Sequence, residues 1–170
     1  MDRLDRLSDF ANAVVSVFSD SPLIRRRPAA GGFALVEHAW HLADLETEAY
    51  AVRIARLLTE VNPSFADFRG DEIARERRYI EQEIAPALNR FIAQRTANVA
   101  ALRGVAPDQW ERRGQQEGVG EVTIARVAEM MSEHDRGHAS EIAALLRELG
   151  LDVPLSLASF AAEPPLRRTA

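Results

Sequence analysis

Apolar residues recur every three or four positions along most of this chain, and this spacing constrains the fold more than any other feature. Such spacing places apolar side chains on one face of an α-helix. Near the N-terminus, for example, Leu4, Leu7, Ala11 and Val14 share a face. No segment shows a convincing alternation of apolar and polar residues, which is the pattern typical of a half-buried strand. The sequence therefore predicts an all-α chain.

Proline and glycine residues divide the chain into predicted helices, because both residue types interrupt helical backbone. The helices are expected at about residues 4–19, 33–60, 71–83, 86–104 and 122–149, with a single turn at 107–110 and an irregular, glycine-containing connection at 114–120. The second helix carries two apolar stripes, from Leu35 to Val52 and from Val36 to Leu58, as a helix packed between neighbours does. A four-helix bundle is predicted for residues 1–150. Residues 151–170 contain three prolines and predict an irregular C-terminal tail, either frayed or lying on the domain or on a partner subunit.

Cysteine and lysine are both absent, and all 21 basic residues are arginine. Without cysteine, the chain has no disulfide, no thiolate nucleophile of its own and no cysteine-held zinc or iron–sulfur site. Without lysine, it has no Schiff-base chemistry and no phosphate-loop lysine. Catalysis would have to use carboxylates, hydroxyls, arginines and the four histidines.

The charge balance predicts neither a nucleic-acid partner nor a membrane partner. The formal net charge is -5, so the chain lacks the excess of basic residues that nucleic acids and anionic membranes attract. The first residues are charged, with no apolar segment of the kind found in a signal peptide, and no stretch is apolar enough to span a bilayer. We therefore expect a cytoplasmic protein.

Two histidines lie at metal-binding spacing on the last predicted helix. His134 and His138 are four residues apart, so their Cβ atoms stand about 5–6 Å apart on one face, and that face is the apolar one. A buried polar group without a partner costs on the order of 1–3 kcal/mol. A divalent ion would use the lone pairs of both neutral rings. The alternative is that each histidine bonds a backbone carbonyl or a carboxylate on a facing helix.

A third ligand would have to come from the second predicted helix, which holds His38 and His41. The helical wheel favours His38, but the spacing does not decide between them. A zinc protease is not indicated, because its His-Glu-x-x-His motif would need a glutamate where this chain has Asp135. Arg95 lies within the apolar stripe of residues 86–104. It is expected either to extend along the apolar surface towards solvent or to form an ion pair in the bundle interior.

Two segments resemble the DinB-like (damage-inducible) metal-binding four-helix bundles. The first is Phe33–Glu46, where His41 directly precedes Leu-Ala-Asp, and the second is Glu133–His138, which contains His-x-x-x-His. The resemblance covers about residues 1–150. It implies that the metal ligands are His41, His134 and His138, and that His38 contacts a ligand or lines the access channel. Relatives often have a histidine where this chain has Gln116.

The resemblance also implies a divalent ion, nickel or zinc, in a cleft between helices and often in a homodimer. Three protein ligands leave coordination positions open. Some relatives are transferases that use a low-molecular-weight thiol such as bacillithiol or mycothiol, which binds the ion as a thiolate. We therefore expect a metal-dependent enzyme that activates water or such a thiol, of hydrolase or thiol S-transferase type, acting on a small molecule.

The carboxylates of Glu37, Asp44, Glu46 and Asp135 are expected to orient the imidazoles through their second nitrogens. Two alternatives to an enzyme stay open at this point. One is a stress-associated module that binds metal or a small ligand without catalysis, and the other is a structural bundle with histidines in its core.

Overall fold

The computed structural model describes residues 3–17 and 22–162, and within them four long helical rods form a bundle. In chain order the elements are α1 (Arg3–Val17), α2 (Leu35–Asp44), a π-helical turn (Leu45–Tyr50), α3 (Ala51–Thr59), β1 (Ser64–Phe65), α4 (Gly70–Glu76), α5 (Ile84–Arg103), β2 (Arg113–Gln116), β3 (Gly120–Thr123), α6 (Ile124–Glu148) and α7 (Leu155–Ala161). The four rods are α1, the continuous α2–α3 helix, α5 and α6. The predicted all-α class and four-helix bundle are confirmed.

Side chains and glycine fix the ends of the rods close to the predicted positions. At the start of α6, the hydroxyl of Thr123 accepts a hydrogen bond of 3.0 Å from the backbone N–H of Arg126. This bond satisfies one of the backbone donors that a helix start leaves unpaired. After α6 the chain turns at Gly150, whose φ of +71° suits glycine. At the start of α2, the Glu37 carboxylate accepts a hydrogen bond of 2.9 Å from the backbone N–H of Ala34.

The second rod contains a π-helical turn that the sequence pattern did not predict. A π-turn places one extra residue in a helical turn and so rotates the faces that follow it. Ala49 is buried as expected, but Val52, predicted to continue the same stripe, is 41% exposed. Arg53 is 4% exposed and occupies the inward position instead. The predicted stripe is therefore wrong beyond the π-turn.

A three-stranded sheet lies where α3 ends and α6 begins, which corrects the prediction that the chain has no strands. β1 pairs in parallel with β2, and β2 pairs antiparallel with β3. Gly118 and Gly120, with φ of +75° and +94°, form the turn between β2 and β3 where an irregular connection was expected. The strands have only two to four residues, too few to show a period of two.

A buried polar layer separates the two apolar clusters of the core. Arg95 donates to both carboxylate oxygens of Asp135, at 2.7 and 2.9 Å, and to Glu46 at 2.8 Å. On α5, this layer falls between Phe91, which belongs to one cluster, and Val99, which belongs to the other. Of the two expectations for Arg95, the interior ion pair is the one observed.

The C-terminal segment is more ordered than its prolines suggest. Helix α7 lies against α1 and α6, where Leu157 and Phe160 are buried. The ring centroids of Phe160 and Phe10 are 5.5 Å apart. The described part of the tail, up to residue 162, therefore lies on the domain. Residues 163–170 lie outside the described residues. The division of the chain at residue 150 stays a prediction. None of the described helices is long and apolar enough to cross a membrane.

Candidate metal centre

Helices α2 and α6 bring His41, His134 and His138 together inside the bundle. The Nε2 atom of His134 lies 3.1 Å from Nε2 of His41 and 3.1 Å from Nε2 of His138. Two nitrogens bound tetrahedrally to one zinc ion at about 2.0–2.1 Å lie about 3.3 Å apart. The three nitrogens therefore have the spacing of a donor set for one ion. They belong to the three residues that the family resemblance implied as ligands, whereas the helical wheel favoured His38 over His41.

These imidazoles are held in the neutral form that a metal requires. Burial lowers the pKa of His41 to about 4, although Asp71 and Asp44 act in the opposite direction. Burial, followed by the charge of His41, lowers the pKa of His134 to about 3, and the pKa of His138 also lies well below its usual value. A neutral ring keeps a lone pair on one nitrogen. The residues present therefore fit a divalent ion.

Aromatic rings and one glycine enclose His41. Phe33 and Phe68 approach its ring with centroids at 5.3 and 5.8 Å. Gly70 begins α4 directly beside it: a Cβ atom at this position would lie 2.6 Å from Nδ1 of His41 and against Cε1. Only a residue without a side chain leaves the ring in its observed place.

The fourth histidine, His38, contacts His138 at the ring nitrogen that does not face His134. Nδ1 of His38 lies 2.8 Å from Nδ1 of His138, and the Glu141 carboxylate lies 3.4 Å from the same nitrogen. Together His38, His138 and Glu141 form a second group of potential donors. The sequence interpretation included His38 but missed Glu141, although its position one helical turn after His138 could have indicated it.

A cavity of about 860 Å³ opens onto the histidines. Its walls come from the loop before α2, from α2, from α4 and from α6. The residues that line it include Arg27, Gly31, Phe33, His38, His41, Asp71, Ala74, Arg75, His134, Gly137, His138, Glu141 and Glu148. This volume is in the range of small-molecule sites. A ligand in the cavity can thus approach the three Nε2 atoms.

None of the four carboxylates expected to orient the imidazoles does so. Each accepts hydrogen bonds from arginine instead. Arg27 donates to Glu37 at 2.5 and 2.8 Å, and Arg95 donates to both Glu46 and Asp135. Asp44 accepts from Arg77, and from Arg90 at 2.6 Å. Tyr79 also donates to Asp44. The prediction is wrong because the carboxylates form ion pairs with arginines from other elements, which the positions of the carboxylates on their own helices do not show.

Gln116 lies in β2 and is 5% exposed. It is not among the residues that line the cavity. Within residues 3–17 and 22–162, its side-chain oxygen has no hydrogen-bond partner.

Comparison with known proteins agrees with this architecture. Residues 4–142 match the DinB superfamily. The chain belongs to this family. A solved structure with a similar fold is that of YfiT from Bacillus subtilis, described as a probable metal-dependent hydrolase with an unusual four-helix bundle topology. The two chains are 19% identical, with a TM-score of 0.78 over 88% of this chain and 87% of YfiT. No curated protein matches. Membership of the DinB superfamily confirms the resemblance drawn from the two histidine motifs.

Proposed function

We propose that this DinB-superfamily chain is a metal-dependent hydrolase in which His41, His134 and His138 hold a zinc or nickel ion through Nε2. The observation that carries the proposal is the 3.1 Å spacing of these nitrogens at the wall of an open cavity. YfiT, which has the same fold, is described as a probable metal-dependent hydrolase. A bound ion would act as a Lewis acid and lower the pKa of a water molecule.

The cavity supplies protein groups that can take up a proton. Of its carboxylates, Glu37 is paired with Arg27, and Glu148 accepts from the backbone N–H of Ala29 at 2.9 Å. Among the described residues no arginine bonds Glu141, and its partial burial together with the charge of Asp71, the remaining cavity carboxylate, raises its pKa. A carboxylate with a raised pKa is a better proton acceptor. Glu141 is therefore our candidate general base.

The test begins with metal content. Protein purified without a metal-affinity column should carry about one zinc or nickel ion per chain, measured by inductively coupled plasma mass spectrometry. The chelated protein should rebind the ion and then hydrolyse members of a panel of small esters, amides and lactones. The His41→Ala/His134→Ala/His138→Ala variant is the control. A wild-type chain that carries no metal and binds none in titration contradicts the proposal.

A second candidate reaction is transfer of a low-molecular-weight thiol. Two observations favour it: the chain has no cysteine of its own, and the cavity has room for a small thiol beside the histidines. Conjugation assays with several thiols on the metal-loaded protein test this reaction. If neither reaction exceeds the rate of the triple variant, the non-catalytic binding module is favoured. The expected homodimer stays a prediction.

A further inference from the structure

The three proposed ligands differ in what their second ring nitrogen contacts. Nδ1 of His138 faces Nδ1 of His38 at 2.8 Å. By contrast, Nδ1 of His41 and Nδ1 of His134 are buried and have no hydrogen-bond partner in the part of the chain that the structure describes. Metal-binding histidines normally donate this second N–H to an acceptor, which fixes both the proton position and the ring orientation. Here His138 alone has such a contact.

We propose that His38 is a positioning residue: it accepts the Nδ1 proton of His138 and thereby holds Nε2 of His138 towards His41 and His134. This inference rests on the proposed metal site and identifies the residue that orients the His138 ring within it. An imidazole has this role in place of the carboxylates that the sequence suggested.

The arrangement of protons follows from the two facing atoms. A neutral imidazole carries one N–H, and a hydrogen bond between two Nδ1 atoms requires that only one of them be protonated. If Nε2 of His138 binds the ion, its proton must lie on Nδ1. His38 must then accept with Nδ1 and carry its own proton on Nε2. Each ring thus determines the tautomer of the other.

Packing holds His38 in place for this role. The residue is 2% exposed. Its ring meets Phe33 edge-on, with centroids 5.6 Å apart at 82°, and meets His138 edge-on, with centroids 5.0 Å apart at 84°. A ring fixed on two sides loses little further freedom when it accepts a hydrogen bond. The contact is therefore built into the fold.

Glu141 is the competing acceptor. Its carboxylate is farther from Nδ1 of His138, at 3.4 Å, and its side chain is 63% exposed. An exposed glutamate is solvated and must give up rotamer freedom to hold one position. The shorter contact to a buried partner makes His38 the main acceptor, which leaves Glu141 available to the cavity.

The test compares Co²⁺ binding by wild type and four variants. His38→Ala removes the acceptor and should weaken Co²⁺ affinity about 10–100-fold, the usual effect of losing such a partner, and should change the visible absorption of the bound Co²⁺. In His38→Asn the side-chain oxygen can replace Nδ1, so this variant should recover much of the affinity and the spectrum. Glu141→Gln tests the competing acceptor and should lose less affinity than His38→Ala, while Ser140→Ala, exposed on the same helix, is the control and should bind Co²⁺ as wild type does. Circular dichroism of the metal-free proteins checks that each variant is folded.

Several results would overturn the inference. Wild-type affinity and spectrum in His38→Ala would refute the positioning role while leaving the metal site intact, as would a folded His38→Asn as impaired as the alanine variant. A larger loss in Glu141→Gln would transfer the role to Glu141. Two ions per wild-type chain, falling to one in His38→Ala, would make His38 a ligand of a second ion. A wild-type chain that binds no Co²⁺ overturns this inference and the proposed function together.

Discussion

At the scale of single residues, Gly70 determines whether His41 can keep its position. It begins α4, and one of its Cα hydrogens lies where any other residue would place a Cβ atom against the imidazole. Its role could not be predicted from the sequence, because nothing near Gly70 in the chain indicates that α4 packs on α2.

We predict that Gly70→Ala lowers metal affinity at least tenfold, which corresponds to about 1.4 kcal/mol. The new Cβ would lie 2.6 Å from Nδ1 of His41, so the ring must turn away from His134 and His138. Competition with a chromophoric chelator measures the change. Gly104→Ala is a matched control, because a Cβ there has ordinary contacts of 3.5 Å or more. Equal affinity in both variants would show that His41 does not need its observed orientation.

The histidine pKa values lead to a prediction about pH. The folded pKa values of His41 and His134 are about 4 and about 3, below the value of 6.5 expected for the unfolded chain. Because the folded site is already unprotonated, metal affinity should change less than threefold between pH 7.5 and 5.5, measured by isothermal titration calorimetry. Three histidines with ordinary pKa values would lose affinity by orders of magnitude over this range.

The same pKa values determine in which direction the stability of the metal-free protein changes with pH. Between pH 6.5 and the folded pKa values, about 4 for His41 and about 3 for His134, the unfolded chain binds protons that these folded histidines do not. Their contribution to the stability of the metal-free fold is therefore complete above pH 6.5 and is lost as the pH falls towards 3. A steep loss of metal affinity that begins at pH 6.5 in a folded protein would contradict the lowered pKa values.

At the scale of secondary structure elements, the long helices could be predicted and the short or irregular elements could not. Helix α6 shows many turns of one period, so its ends and its buried face were predictable, and with them the placement of His134 and His138. The π-turn gives no such pattern, because one extra residue in a single turn cannot be distinguished from ordinary irregularity in the spacing of apolar residues. The strands are too short to establish an alternation.

Helix α6 also contains a glycine that its own stability does not explain. Gly137 lies between His134 and His138 and lines the cavity, and a Cβ there would meet nothing within 4 Å. A glycine inside a helix costs roughly 0.5–1 kcal/mol relative to alanine. The open space beside the histidines is the feature that this glycine preserves.

We predict that Gly137→Ala stabilises the protein by roughly 0.5–1 kcal/mol, measured by urea denaturation of the metal-free protein, and leaves metal affinity unchanged. Ser140→Ala, on the exposed side of the same helix, is the control for a general gain in helix propensity. A loss of stability in Gly137→Ala would mean that the cavity wall lies closer than described.

At the scale of the whole molecule, the buried layer of Glu46, Arg95 and Asp135 sets the alignment of three rods. Arg95 on α5 bonds to Glu46 in the π-turn and to Asp135 on α6, and Asn98 donates to Glu46 at 2.7 Å. A charge in the core is tolerated only in the alignment that pairs it. The sequence placed Arg95 in an apolar stripe but left open whether it extends towards solvent or forms an interior ion pair. Which carboxylates it meets depends on how three helices pack.

We predict that Arg95→Met destabilises the protein by about 3–5 kcal/mol, because two carboxylates remain buried without their partner. Adding Glu46→Gln and Asp135→Asn removes the uncompensated charges and should restore part of this loss. Arg90→Met is a milder control, since Arg77 and Tyr79 still bind Asp44. Denaturant unfolding of the metal-free variants measures each effect. A loss below 1 kcal/mol in Arg95→Met would show that water reaches this layer.

The proposed metal ligands come from opposite halves of the chain, with His41 and His134 separated by 93 positions. A polypeptide released early from the ribosome lacks His134 and His138, and a chain cut by a protease in the connection between α5 and β2 has His41 in one piece and His134 and His138 in the other. Neither piece has the complete donor set. Retention of the proposed ion during dialysis against a weak chelator would therefore require that both halves of the chain are present and packed against each other.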